Sequence, residues 1–472
     1  MSRIILLLAV ALAWPAYASE GRARLFVLTD IENEPDDAQS LVRLLVHSNQ
    51  YDIEGLVATT SVWLPSRTAP ERIHRIVEAY AKVRDQLAKH EPGFPEARAL
   101  RSIIATGPPV YGMKGVGKGR DTPGSEALIA AADRSDVRPL WVTAWGGTNV
   151  LAQALWKVSQ SRSKEEVARF LAKLRVYAIS DQDDSGPWIR ASFPELFYIV
   201  SPGFEENGGG GYHFGTWTGI SGDRFHGRFD GADFSLVTNE WLAENVSKDH
   251  GALGAEYPRW EYLMEGDTPS YLYLFPNGLG SPEHPNFGSW GGRYEYYTPH
   301  RQPWHSRAET RPIWTNAMDE VIGVDGQPHH SIYATIFRWR QAYQNELAAR
   351  MDWCVKDPQD ANHPPAARLS HPPTLTIRPN ETLTLSAQGS SDPDGDALSY
   401  RWFVYREAGT YMGAAQLHDA DQVEAKISIP KLEPREGLRV IGPKALHVIL
   451  EVTDAGQPAL TRYRRVILAV QE

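Results

Sequence analysis

Cysteine is almost missing from this sequence: Cys354 stands alone in 472 residues. A disulfide within the chain is therefore excluded, and so is a zinc site built on several thiolates. Cys354 itself reads as a small buried side chain rather than a nucleophile. Positive charge is also scarce, with 48 Lys and Arg against 58 Asp and Glu and a formal net charge of -10. That balance argues against nucleic acid as a partner, because phosphate binding relies on basic patches. Long apolar runs are absent too. The run Ile4 to Ala13 is too short to span a bilayer; with Arg3 before it and Ala16-Tyr17-Ala18 after it, segment 1–18 reads as a cleavable leader. The mature chain is expected in the periplasm or secreted, with no integral membrane segment. A phosphate loop is missing as well: Gly112 to Lys118 has the spacing of GxxxxGK, but Gly119 stands where Ser or Thr is needed.

What is present is acid, concentrated in one place. The stretch Thr29-Asp30-Ile31-Glu32-Asn33-Glu34-Pro35-Asp36-Asp37-Ala38 carries five acidic side chains in ten residues and follows an apolar run, Leu25 to Leu28. The run reads as a buried strand that delivers Asp30 and Glu32 to the carboxyl edge of a sheet. Asp36 and Asp37 then start a helix marked by Ala38, Leu41, Val42 and Leu45. Asp at a helix start is also an ordinary cap. Four converging carboxylates, however, repel unless a cation lies among them, and an all-oxygen site favours a hard ion such as Ca2+ over zinc.

Further along, strand-like runs (Ile53 to Thr59, Leu100 to Ala105, Leu140 to Ala144, Arg175 to Ile179) alternate with helical periodicity over Ala69 to Leu87, Ser125 to Ala132, Thr148 to Val158 and Lys164 to Leu174. Ser125 and Thr148 are plausible caps. The alternation predicts an α/β fold, a mainly parallel open sheet with flanking helices. Ligands in such sheets bind beyond the carboxyl ends of the strands, where the acidic stretch lies. Other strand ends add Trp63, the Gly-rich turn Trp145-Gly146-Gly147-Thr148-Asn149, and the loop Ser180 to Trp188 with Asp183, Asp184 and Trp188. Carboxylates and amides suit sugar hydroxyls, and tryptophan faces suit sugar rings. His213 lies in the looser segment from Gly203 to Arg259, where an ordinary hydrogen-bonded histidine competes with a proton donor or ligand contact.

The pattern Asp30-x-Glu32-x-x-x-Asp36-Asp37 resembles the Asp-x-Asp-x-x-x-Asp-Asp opening of the calcium-dependent nucleoside hydrolases, with Glu in the second place. More closely, nearly the whole mature chain resembles a nucleoside hydrolase-like subgroup named for a cellulose-binding protein and carrying an extra C-terminal β-domain. The resemblance implies calcium held by Asp30, Glu32, Asp37, a late Asp for which Asp267 is the candidate, and a carbonyl of Ala144 or Trp145. It implies Glu32 as base and Asp36 as a catalytic or hydroxyl-binding acid, with Asn149, Asp183, Asp184 and Trp188 as substrate contacts; Trp63 and His213 are added as substrate contacts from residue chemistry alone. Glu265 is a fallback for Asp267, and Gly266 stands where the family often has His. An Asn usual near Ser61 is missing, which weakens a nucleoside substrate.

Residues 19–356 are accordingly expected to form the hydrolase-like domain and 357–373 a linker. Residues 374–472 are expected to form an Ig- or PKD-like β-sandwich, with the acidic turn Ser391 to Asp396 before Leu398, Tyr400 and Trp402. The turn reads as a hydrogen-bonded loop or a second calcium site. Functionally, a metal-assisted hydrolase of a carbohydrate substrate, with furanosides among the candidates, stands against a non-catalytic cellulose or polysaccharide binder and a nucleoside N-ribohydrolase. A third arrangement gives polysaccharide binding to the β-domain alone. A homo-oligomer is compatible with all of these.

Overall fold

The computed structural model describes residues 21–203, 211, 214–224, 228–302, 307–430 and 444–471; the expected leader at 1–18 and His213 lie outside them. The first strand, β1 (Ala23–Thr29), is buried on both faces. Leu25 and Val27 point into one hydrophobic cluster, and Phe26 and Leu28 into another on the opposite side of the sheet. This two-residue alternation lets a continuous apolar run serve two cores at once. Each such side chain contributes about 1.5–3 kcal/mol by leaving water.

Strands β2 (Tyr51–Ala58), β3 (Ile104–Thr106), β4 (Leu140–Ala144), β5 (Leu174–Ala178), β6 (Phe197–Val200), β7 (Tyr294–Tyr297) and β8 (Ile313–Asn316) complete an eight-stranded sheet in the order β3-β2-β1-β4-β5-β6-β8-β7. Every pairing is parallel except the edge pair β7 and β8. On one face lie α1 (Pro35–Val46) and α2 (Pro70–Ala81), with the later helix Arg340–Asp352. Past α3 (Arg84–His90) and α4 (Ala97–Ser102), the helices α5 (Pro123–Asp133), α6 (Asn149–Ser161), α7 (Lys164–Ala172) and α8 (Ser185–Ser192) cover the other face. The expected open α/β sheet is therefore present. From β1 the chain builds outward through β2 and β3, then returns to place β4 on the other side of β1. The crevice between the carboxyl ends of β1 and β4 is the switch point where such sheets bind ligands.

Local details differ from expectation. Leu100 to Ser102 end helix α4, and only Ile104 and Ala105 of the expected run join β3, which pairs Leu56 to Ala58 at the sheet edge. Ala69 to Leu87 is two helices that break around Lys82 and Val83. The cap before Ser125 is Thr122, whose hydroxyl accepts from Ser125 N at 3.2 Å, because Pro123 starts the helix earlier.

After a hairpin of β9 (Asp319–Ile322) and β10 (Pro328–Ser331), the remaining strands form two sheets. β11 (Thr374–Ile377), β17 (Thr461–Val470), β16 (Ala445–Thr453) and β13 (Ser399–Val404) make one; β12 (Thr382–Ser386), β15 (Glu424–Ser428) and β14 (Gln416–His418) make the other. Leu446, Val448, Leu450 and Val452 of β16 face the sandwich core. Ile449 of β16 and Tyr463 of β17 instead join the core of the large sheet. Arg465, buried in this seam, donates to Leu279 O (2.7 Å) and Phe287 O (2.9 Å), and Tyr463 N donates to Asn277 O (2.8 Å). Residues 357–373 are tied to both sides: Trp353 Nε1 donates to Asn362 O at 2.9 Å, and Asn362 Nδ2 to Asp454 Oδ1 at 3.0 Å.

Arg465→Ala leaves buried carbonyls without donors and should cost about 3 kcal/mol. In urea, tryptophan fluorescence and far-UV circular dichroism are expected to report one coincident transition, shifted to lower urea in the variant; separate transitions would mean that the seam does not couple the two parts.

Candidate metal centre and active site

The acidic loop is shaped by two backbone constraints. Glu32 adopts a positive φ of 74°, uncommon for a residue with a side chain, and its carboxylate turns outward to pair with Arg72 Nε of α2 at 3.1 Å. Glu34 precedes Pro35, which holds it extended (φ -142°, ψ 174°) at the start of α1. Its side chain is half-buried. Burial first, and then the charges of Asp36, Asp30, Asp223 and Glu261, push the Glu34 carboxyl up to about 9.

Behind Glu34, Asp36, Asp37 and Asp267 each offer an oxygen, all within 4.8 Å of one another. Asp36 and Asp37 come from the first turn of α1, and Asp267 from the segment entering the short helix Pro269–Leu272. Thr29, the last residue of β1, donates its hydroxyl to Asp37 Oδ1. Asp36 Oδ1, Asp267 Oδ2 and Asp30 Oδ2 are buried without a hydrogen-bond partner. Burial, followed by the charge of Asp30, raises Asp36 to about 7 and Asp37 well above the carboxylate range. Burial and then the charge of Asp36 do the same to Asp267; Asp30 rises to about 6, chiefly through burial. Two ionised carboxylates at such separations repel by about 3 kcal/mol at an effective dielectric near 20. The cluster therefore takes up protons or a cation, and its all-oxygen donors fit a hard divalent ion.

Glycines let this acid pack against backbone. A Cβ on Gly146 would collide with the Asp30 carboxylate, and one on Gly266 would lie 2.7 Å from Asp36 Oδ2 and 3.0 Å from the Trp217 ring. The His looked for at Gly266 thus has no room beside Asp36.

The other expected residues divide. Asp183 reaches the same crevice: its Oδ2 is buried and unpartnered beside Gly147, and burial raises its carboxyl to about 6. Trp63 stands exposed on the loop after β2. Asn149 donates its amide to Thr60 Oγ1 (2.8 Å) and Val110 O (3.0 Å), leaving a buried Oδ1 without a partner. Asp184 is exposed and accepts from Met113 N at 2.8 Å, while Trp188 packs edge-on to Phe193 with ring centroids 5.7 Å apart. Neither is thereby brought to the carboxylate cluster. Of the two carbonyls left open, Ala144 O accepts from Ile179 N at 3.0 Å and Trp145 O from the Gln182 amide. Glu265 is committed to Arg43 at 2.5 Å and Tyr257 at 2.6 Å. Glu32, expected as ligand and base, is exposed and pairs with Arg72, while the half-buried Glu34 feels the charges of Asp36 and Asp30. The Glu-Pro pair was the available signal for Glu34.

A family model described as the cellulose-binding Sde182 nucleoside hydrolase-like domain matches residues 24–294. The chain belongs to this family. The C-terminal domain of cellulose-binding protein Sde0182 matches residues 382–470. A solved nucleoside hydrolase-related hypothetical protein from Saccharophagus degradans, associated with carbohydrate metabolism, is 35% identical and covers 96% of this chain and 100% of its own, with a TM-score of 0.80. The PKD domain of the KIAA 1837 protein covers 23% of this chain and 90% of its own at 20% identity, with a TM-score of only 0.15. No curated protein matches. The fold of the Sde182 family thus accounts for both the parallel sheet and the appended β-domain.

The raised carboxyls fix the sign of a pH effect. Between about pH 4 and 7 the unfolded chain has released protons that the metal-free folded site still holds, so this stabilisation is lost as pH rises. In EDTA, Asp267→Asn should gain in Tm relative to wild type as pH goes from 5 to 8. A Tm difference that is flat with pH would refute this electrostatic picture.

Proposed function

We propose that the chain is an exported, calcium-dependent hydrolase of glycosidic bonds in a carbohydrate, with furanosides among the candidates. The supporting observation is the buried group Asp36, Asp37 and Asp267, with oxygens within 4.8 Å, at the switch point of the sheet. These three, with Asp30 beside them, would hold the ion. Bound calcium would supply Lewis-acid activation of water and a docking point for sugar hydroxyls.

The chain's own groups do the rest. Asp30, with an unpartnered Oδ2 and a carboxyl raised to about 6, takes the proton of the attacking water. Glu34, whose burial favours the protonated carboxyl, is the group that delivers a proton to the departing oxygen. Asp183 Oδ2 accepts from a sugar hydroxyl, and exposed Trp63 offers a stacking face at the rim. Direct attack by water gives inversion at the anomeric carbon. Export rests on the expectation that 1–18 is a leader; among the described residues no helix is long and apolar enough to cross a membrane.

The family description favours a second reading, a non-catalytic cellulose binder. For the β-domain as the binding part there is less support. None of the exposed aromatics among the described residues lies in 374–471, and Tyr405 and Tyr463 are buried in the seam.

A panel of p-nitrophenyl furanosides and pyranosides, inosine and oligosaccharides separates these readings. Release that EDTA stops and calcium restores is expected. Glu34→Gln should lower turnover by about 10²–10⁴-fold with ligand binding retained. Glu32→Gln, which only loosens a half-exposed ion pair, should change it by less than about twofold. No release from any substrate, with glycan binding intact, would establish the binder.

A further inference from the structure

A second acidic group lies in the β-domain, in the turn leading to β13. Asp392, Asp394 and Asp396 each offer an oxygen within 4.8 Å of the others. Asp392 Oδ1 accepts from the backbone N of Asp394 (2.9 Å) and Asp396 (3.0 Å), as an Asx-type turn requires, yet its Oδ2 is buried without a partner.

Asp454 repeats this posture. The pairing of Ser399 with Thr453 sets the start of β13 against the end of β16, so Asp454 emerges beside the turn. Only 4% exposed, it fixes Oδ1 with Asn362 Nδ2 (3.0 Å), Gly456 N (3.0 Å) and Leu460 N (2.9 Å). Its Oδ2 is likewise buried and unpartnered. Asp454 and Asp392 lie near enough for their charges to act on each other. A turn held only by hydrogen bonds explains the two tethered oxygens but not the two presented ones. Unpaired carboxylate oxygens in a dry position are costly.

We propose that Asp392, Asp394, Asp396 and Asp454 bind a calcium ion, separately from the site at the switch point. All the donors are carboxylate oxygens, and a loop plus a strand end gives the irregular geometry that calcium accepts and magnesium does not. The ion sits at the seam of the molecule. Asp394 accepts from His363 N at 2.7 Å, and the His363 ring contacts His90 Nδ1 at 3.0 Å, so the site braces the segment that joins the β-domain to the hydrolase-like part.

The test is calorimetric titration of metal-free full-length mature protein with calcium, in wild type and in Asp267→Asn, which silences the first site. Asp267→Asn is expected to retain one calcium, and adding Asp454→Asn should weaken it by about tenfold or more. Asp396→Asn, whose carboxylate takes no part in the turn's hydrogen bonds above, guards against misfolding and should weaken the same site. No calcium bound by Asp267→Asn, or affinity unchanged by both turn variants, would overturn the proposal. One calcium in wild type that Asp396→Asn weakens and Asp267→Asn leaves intact would support this site and sink the reading of the first.

Discussion

Repulsion among buried carboxylates is the constraint around which this molecule is built. Asp36, Asp37 and Asp267 converge at the end of the central strand with Asp30 alongside, in a place where water cannot screen them. Holding them there requires a rigid frame: a strand buried on both faces, a helix whose first turn carries two of the acids, and glycines that let carboxylates approach backbone. The positive end of the α1 dipole lessens the repulsion by a fraction of what it would take to cancel it. Protons or a cation must supply the remainder, which links the site's chemistry to the stability of the fold.

The β-domain is part of the same mechanical unit. Strands β16 and β17 are buried on both faces for different reasons: one side fills the sandwich, and the other packs on the hydrolase-like part. Arg465 satisfies carbonyls of the irregular segment around Leu279 and Phe287, a stretch too rich in Gly and Pro to satisfy its own. An appended domain docked this way acts as a wall for that segment. Its aromatic residues are divided between the sandwich core, with Trp402 and Tyr411, and the seam, with Tyr405 and Tyr463.

The acidic stretch, the Gly-rich turn after β4 and the strand-helix alternation were all legible, because each follows from short-range chemistry: apolar period, caps, and the need of like charges for a counter-ion. The bounds of the short edge strand β3 and the break between α2 and α3 were not, since tertiary pairing decided them. Within the site, Asp267 was legible only through a family resemblance. Its approach to Asp36 joins segments over two hundred residues apart, which no local pattern encodes.

The sequence by itself determined that the fold is an open α/β sheet followed by a β-sandwich, and that carboxylates crowd the end of the first strand. Only the tertiary structure decided which of them face inward. A positive φ at Glu32 and the guanidinium of Arg72, on a helix forty residues later, draw Glu32 out of the cluster. Pro35 holds the Glu34 backbone extended, and the half-buried Glu34 carboxyl feels the charges of Asp36 and Asp30. Spacing counts residues along a chain, but the direction of a side chain in a loop is set by backbone dihedrals and by partners that arrive from elsewhere.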